Sequence, residues 1–402
     1  MKKSPSLNTT PQSPTQANIK KFYWFSFLKE WIFWVPVVVL FWQANGLSLT
    51  EIMVLQSLYA ISVVLLEVPT GVVADKVGRK QSLALGSIFV IFGFIAYFLG
   101  YNFWQFFGAE FLLAVGTGFM SGADSAFVFD SLKQDKKESN FKRVWGSAKS
   151  WGYFAAAITS ILGGFIATYS LRLTWLPTIF GMVILFFVTL SFTEPKHYKK
   201  VAQTQSYLQH TWESIKESFT NKNLLFLLLF YSILTLFARV SLWFYQPYMN
   251  ESGLPLVYFG IVWASFNIFA IGGSKSANRL EGWLGERGSL WFMIIAMFLS
   301  LIFMSYWFAI FGMAFIFLQQ FVRGFSPPVL QDYTHKHLSS EKRATLLSVQ
   351  SMVANLLFAV LAPVYGFLAD KFSLSTALLI AGISCLAAFS VLMLWGRMRG
   401  RN

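Results

Sequence analysis

The chain has 402 residues, of which 55% are apolar or aromatic and 12% charged, and its mean hydropathy is +0.55. A soluble globular domain carries about 25% charged residues, so this composition excludes an ordinary water-soluble enzyme and a disordered chain. Cys385 is the only cysteine, which excludes a disulfide scaffold and leaves a small core residue. The formal net charge of +14 invites a nucleic-acid reading, which the placement of the charges rejects below.

In chain order, residues 1–18 are rich in Ser, Thr, Pro, Gln and Asn and have little to bury. They read as a disordered tail, continued to residue 21. They also separate Lys2 and Lys3 from the first apolar run, unlike a cleaved signal peptide. Twelve apolar segments follow, at roughly 22–45, 51–74, 81–100, 103–131, 144–169, 173–192, 223–249, 255–277, 289–306, 308–332, 346–369 and 373–396. A span needs roughly 20 apolar residues, and a helix satisfies its own backbone in lipid. The runs are too long and continuous for the strands of an outer-membrane barrel. The expected fold is an all-α polytopic membrane protein of 12 transmembrane helices.

Of the 32 Lys and Arg, 26 fall in the two tails or in the loops that follow even-numbered segments. Only Arg172 and Lys371 fall on the other side; Lys29, Lys149, Arg239 and Arg323 lie within spans. Basic loops stay in the cytoplasm, so both termini are expected there. The same asymmetry accounts for the net charge without nucleic acid.

The chain also repeats itself. Gly164-Phe-Ile-Ala167 is answered by Gly366-Phe-Leu-Ala369, Ser147-Ala-Lys-Ser150 by Ser348-Val-Gln-Ser351, and Asp130 with Arg143 by Asp332 with Arg343, all at nearly one offset. Two six-helix halves are expected, 22–192 and 223–396, a known transporter plan. Between them, 193–222 is a polar cytoplasmic linker. In it Leu208, Trp212, Ile215 and Phe219 make one helical face, for the membrane surface or a partner. Residues 397–402 form a basic tail.

The loop between segments 2 and 3 reads Gly71-Val-Val-Ala-Asp75-Lys76-Val-Gly78-Arg79-Lys80. It resembles the signature loop of the major facilitator superfamily in every defining position. The resemblance extends over essentially the whole chain from residue 22. It implies two six-helix bundles around a central cavity that opens to alternate sides, and a conformational latch at Gly71, Asp75, Lys76, Gly78, Arg79 and Lys80. Physically, Gly71 suits a close helix approach and Gly78 a tight turn, while Asp75 suits a helix N-terminus. The alternative is topological: the basic residues simply hold the loop inside. In the second half, Gly272-Gly-Ser-Lys275-Ser-Ala-Asn278-Arg279 is a degraded counterpart without the aspartate.

Ionisable residues inside spans are costly and mark function. The resemblance implies that segments 1, 4, 7 and 10 line the cavity. They carry Lys29 and Glu30, Glu110 and Asp124, Arg239, and Arg323 respectively. Glu110, Thr117, Ser121 and Asp124 share one helical face, and Glu110 and Asp124 would stand about 21 Å apart along the axis. Ser232, Thr235, Arg239 and Gln246 share another face, and Gln319 stands one turn before Arg323. Glu67, just before Pro69, is a proton carrier or a brace against a basic partner; Pro69 is expected to bend its helix. Lys29 is expected to snorkel to the surface. The carboxylates can exchange protons and the arginines can hold an anion; alternatively Glu110 and Arg239 neutralise each other. Asp130 and Asp332 read as loop ion-pair partners. Trp31, Trp34, Trp42, Trp243 and Tyr245 are expected to line the cavity or to pack.

The chain has no G-x-x-x-x-G-K-[ST] phosphate loop. Its four histidines, His197, His210, His335 and His337, fall in expected loops, so no cofactor, metal site or catalytic residue is expected. Drug exporters of the superfamily carry Gly-Pro ahead of Gly-Gly in segment 5. Here Thr159-Ser160 precedes Gly163-Gly164, so export and uptake both stay open. The function expected is secondary active transport of a small organic solute, coupled to protons or another ion. A mixed acidic and basic cavity suits a charged or zwitterionic solute better than a plain sugar. A membrane-embedded enzyme or lipid-handling protein on the same fold is the alternative. The expected setting is a monomer in the lipid bilayer of a bacterial plasma membrane.

Overall fold

The computed structural model describes residues 14–195, 220–335 and 343–399. These form thirteen α-helices: α1 Pro14–Lys29, α2 Val38–Ala44, α3 Leu49–Val77, α4 Arg79–Leu99, α5 Phe103–Met120, α6 Ala123–Gln134, α7 Phe141–Ala167, α8 Trp175–Leu190, α9 Lys222–Glu251, α10 Phe259–Tyr306, α11 Ala314–His335, α12 Arg343–Lys371 and α13 Leu374–Arg399. The linker face from Leu208 to Phe219 and residues 400–402 lie outside the described residues.

Among the described residues, nine stretches are long and apolar enough to cross a membrane. One of them, Leu256–Tyr306, has 51 residues, more than twice the roughly 20 that one crossing needs. It contains the eighth and ninth expected segments. The loop expected between them is absent. Two helices meet directly at Gly285, whose φ of 68° and ψ of 179° turn the chain in a single residue. The expected tenth segment, α11, is not among the nine. Gln319, Gln320, Arg323, Pro327, Pro328 and Asp332 interrupt its apolar character.

Two other expected helices are broken. Segment 1 stops at Lys29, continues without α-helix, makes a short 3-10 turn at Val35–Val37 and resumes as α2. Pro36, with its fixed φ and missing N–H, sits in that turn and starts the new helix. Segment 4 stops at Met120 and resumes as α6 after Gly122, which has φ of 73°. The expected face from Glu110 to Asp124 is therefore not continuous, and Asp124 belongs to a separate helix. By contrast, α3 runs unbroken through Pro69.

The expected disordered tail is helical from Pro14 onward. Asn18, fully buried, exchanges two hydrogen bonds with the backbone of Thr193, at 2.8 and 2.9 Å. Those bonds replace the apolar burial that the tail lacks.

Packing follows the broken and unbroken helices together. α4 lies against α5 and α8, α10 against α11, and α9 against α12 and α13. The most extensive packing between the first half of the chain and the second is α3 beside α12 and α7 beside α10. The second depends on glycine. A Cβ at Gly164 would stand 2.7 Å from the backbone nitrogen of Gly260.

Candidate functional site

The broken first segment, α3, α4, α5 and α8 meet α9 and α12 around a cavity of about 380 Å³. Most of its wall is apolar, including the indoles of Trp34, Trp42, Trp175 and Trp243. Ring packing holds this wall in place. Trp175 stacks on Tyr97 at 4.5 Å between centroids and on Trp34 at 4.9 Å. Trp42 and Trp243 approach to 5.5 Å from the two halves of the chain. Trp31 and Tyr245 stand outside this cavity.

Among the ionisable groups on the wall, Glu110 on α5 and Arg239 on α9 face the cavity from opposite halves. Glu110 is 7% exposed. Its Oε1 accepts from Gln56 Nε2 at 2.7 Å and from Tyr97 Oη at 2.6 Å. Arg239 donates through Nη1 to Asn355, and its guanidinium lies 5.2 Å from the centre of the Phe358 ring. Tyr59, also on the wall, lies within electrostatic reach of both. Among the described residues no salt bridge joins Glu110 to Arg239. Each charge is held by neutral partners, and the two are kept apart.

Lys29 and Glu30 line the cavity on the side of the N-terminal tail. Lys29 Nζ lies 2.9 Å from Asp124 Oδ2. The bridge joins the last residue of α1 to the first turn of α6, the two ends at which helix dipoles favour a cation and an anion. Both helix breaks are needed to bring these ends together. Lys29, Glu30 and Asp124 also line a second cavity of about 170 Å³, with Lys149 and Trp145.

The other sequence candidates divide clearly. Thr117 lines the central cavity. Glu67, Ser121, Ser232, Thr235, Gln246, Gln319 and Arg323 lie outside both cavities. Gln319 accepts from Tyr245 Oη, and Arg323 Nη2 donates to Asn267 at 3.1 Å. Sequence reasoning missed Gln56, Tyr59, Tyr97, Trp175 and Asn355. They come from segments 2, 3, 6 and 11, which the family plan does not place on the cavity. A buried polar residue in an apolar run, such as Gln56, was the available signal.

Hydrogen bonds between the two halves gather at the end of the molecule away from the tails. Gln246 of α9 clamps the break in segment 1, accepting from Val39 N at 2.7 Å and donating to Val35 O at 2.9 Å. The Asp370 carboxylate, at the end of α12, accepts from Leu49 N at 3.0 Å, from Thr50 N at 2.7 Å and from the Thr50 hydroxyl. One carboxylate thus caps the N-terminus of a helix in the other half.

At the tail end, Gly78 turns the chain between α3 and α4 with φ of 106°. The Glu194 carboxylate accepts from Arg79 N and Lys80 N, both at 2.8 Å, and so caps α4. Arg79 Nε stands 4.0 Å from Asp130 Oδ2. Asp75 and Lys76 occupy the last turn of α3. Gly71 makes no close helix contact, since a Cβ there would meet nothing within 4 Å.

Known proteins resemble this arrangement. A nucleoside transporter, NupG, in a mutant crystal form, superposes with a TM-score of 0.81 at 15% identity, covering 94% of this chain and 99% of that one. A bacterial homolog of the human lysosomal transporter Spinster, inward-facing and unoccupied, superposes with a TM-score of 0.72 at 14% identity, covering 95% of each. In sequence, the sucrose permease of Escherichia coli is 27% identical over 183 residues, which is 44% of this chain and 43% of the permease. The Major Facilitator Superfamily model matches residues 22–355 and 280–401. The chain belongs to the major facilitator superfamily.

Proposed function

We propose that the protein is a secondary active transporter that carries a small organic solute by alternating access, coupled to protons. The observation that carries this reading is the cavity between the halves. It holds a buried carboxylate, Glu110, with no cationic partner among the described residues, and it is closed at one end by bonds between the halves. A carboxylate held only by neutral donors can lose or gain a proton without breaking an ion pair. Arg239, on the facing half, anchors the solute.

The architecture proposed is twelve spans in two six-helix bundles, residues 22–192 and 223–396, with both termini in the cytoplasm. The charge asymmetry of the loops supports it. The tail end is then cytoplasmic, Asp370 and Gln246 close the outer end, and the conformation is inward-facing. Glu30 and Asp124, which border the second cavity, pass protons between Glu110 and the cytoplasm. The signature loop, through Gly71, Asp75, Lys76, Gly78, Arg79 and Lys80, latches the cytoplasmic end in the opposite state. Glu67 and Arg323 brace helices. The Escherichia coli relative supports a bacterial inner membrane.

The test is accumulation of a metabolite and drug panel in cells making the wild type or the Glu110→Gln, Asp124→Asn double variant, with and without a protonophore. Reduced accumulation of one solute, lost on mutation or with protonophore, means proton-driven export. Increased accumulation with the same sensitivities means uptake. Equal accumulation across the panel in all conditions rejects the reading.

A further inference from the structure

The groups still unspent on the cavity wall limit what it can hold. Glu110 Oε1 takes both available donors, Gln56 and Tyr97, and leaves Oε2 without a partner among the described residues. Arg239 uses Nη1 on Asn355 and leaves Nε and Nη2 without a hydrogen-bond partner there. Lys29 is spent on Asp124, and the Thr117 hydroxyl donates to its own helix at Leu113 O. Apart from the Glu30 carboxylate, which borders both cavities, the free charge on the wall is therefore concentrated at two separated points of opposite sign, one on each half of the chain.

Between these points the wall is apolar and largely aromatic. A polyhydroxylated solute needs a donor or acceptor at every face of its ring, and a hydroxyl buried without one is costly. Here its hydroxyls would meet indoles, valines and leucines. A simple cation would satisfy Glu110 and face Arg239, while a simple anion would do the reverse. Indole faces accept flat rings in offset or edge-on contact and also attract an ammonium group. Trp34 and Trp243 are the half-buried indoles that offer such faces on the two halves.

We propose that the solute is an aromatic zwitterion: its amine meets Glu110 Oε2, its carboxylate meets the free guanidinium nitrogens of Arg239, and its ring lies among the tryptophans. The inference rests on the transporter reading for the purpose of the cavity, and it adds the substrate class. Glu110 and Arg239 act as specificity determinants, each reading one end of the solute.

The experiment uses the full-length protein in lipid nanodiscs. Radiolabelled tryptophan is displaced by tryptamine, indole-3-propionate, sucrose and uridine. The expected result is saturable tryptophan binding. Tryptamine, without a carboxylate, and indole-3-propionate, without an amine, should each bind at least about tenfold more weakly, as loss of a charged hydrogen bond implies. Glu110→Gln should remove the preference for tryptophan over indole-3-propionate and keep that over tryptamine. Arg239→Gln should do the converse, and unchanged melting profiles would establish that both variants fold. No tryptophan binding up to millimolar, tighter binding of sucrose or uridine, or preferences that ignore the two substitutions would overturn the proposal. Counterflow into proteoliposomes separates the two readings. Tryptophan bound but never carried defeats transport and leaves the site assignment. Sucrose or uridine carried without tryptophan binding defeats the site assignment and leaves transport.

Discussion

Gly163 shows how much of the cavity depends on single residues. A Cβ there would lie 1.9 Å from the carbonyl oxygen of Phe33, within the break of segment 1. The glycine allows α7 to press on non-helical backbone, and that backbone carries Glu30 and Trp34 to the cavity. Gly163→Val forces the two apart, and overpacking of this kind costs about 1–3 kcal/mol. A lowered melting temperature of the detergent-purified variant, together with weakened solute binding, is the expected outcome. Melting unchanged from wild type would refute this account of the break. Phe33 N also donates to the Thr178 hydroxyl at 3.0 Å, so the interrupted backbone is partly satisfied by α8. Glu110 and Arg239, which line the cavity, were legible as candidates in the sequence, because charge in a span is rare. Their hydrogen-bond partners were not, because Gln56 and Asn355 reach them only across helices far apart in the chain.

At the scale of elements, closure of the proposed outer end depends in large part on one helix terminus. The N-terminus of α3 has orphan N–H groups that its own helix cannot satisfy. Ser48 caps part of them in a capping box with Glu51, and Asp370 from α12 takes Leu49 N and Thr50 N. Asp370→Asn removes the charge that favours this terminus and weakens the bonds. The outer end should then open more often. Cys385 is fully buried, so a single introduced cysteine can be followed. With Leu49→Cys, a residue now 6% exposed, labelling by an impermeant maleimide should rise several-fold in the Asp370→Asn background. The same labelling rate with and without that substitution would exclude Asp370 as an outer latch. The broken elements carry a similar lesson. Lys29 meets Asp124 because two helices end early, whereas regular helices through both segments would keep the residues on the faces that the spacing suggests.

For the whole molecule, orientation is the property most directly open to test. The basic loops predict a cytoplasmic C-terminus. A C-terminal green fluorescent protein fusion should therefore fluoresce, and an alkaline phosphatase fusion at the same point should be inactive. The reverse pattern would invert the proposed inner and outer ends, and with them the conformational state. The amino-acid sequence by itself determined a polytopic helical protein, its family and the charges placed within its spans. Apolar run length, loop charge and a short signature are local quantities that need no partner to be read. It also suggested an internal repeat and the aromatic character of segment 1. Tertiary structure alone decided the continuity of helices at Lys29, Gly122 and Gly285, where a proline, a positive φ and cross-helix bonds outweigh a continuous apolar run. It decided too that Gln246 and Gln319, both on expected cavity helices, bond to neighbouring segments outside the cavity, while Gln56 and Tyr97 hold the Glu110 carboxylate. A helical period places a residue on a face. Which face meets the cavity depends on how the helices tilt, break and pack, and those are sums over contacts between segments distant in the chain.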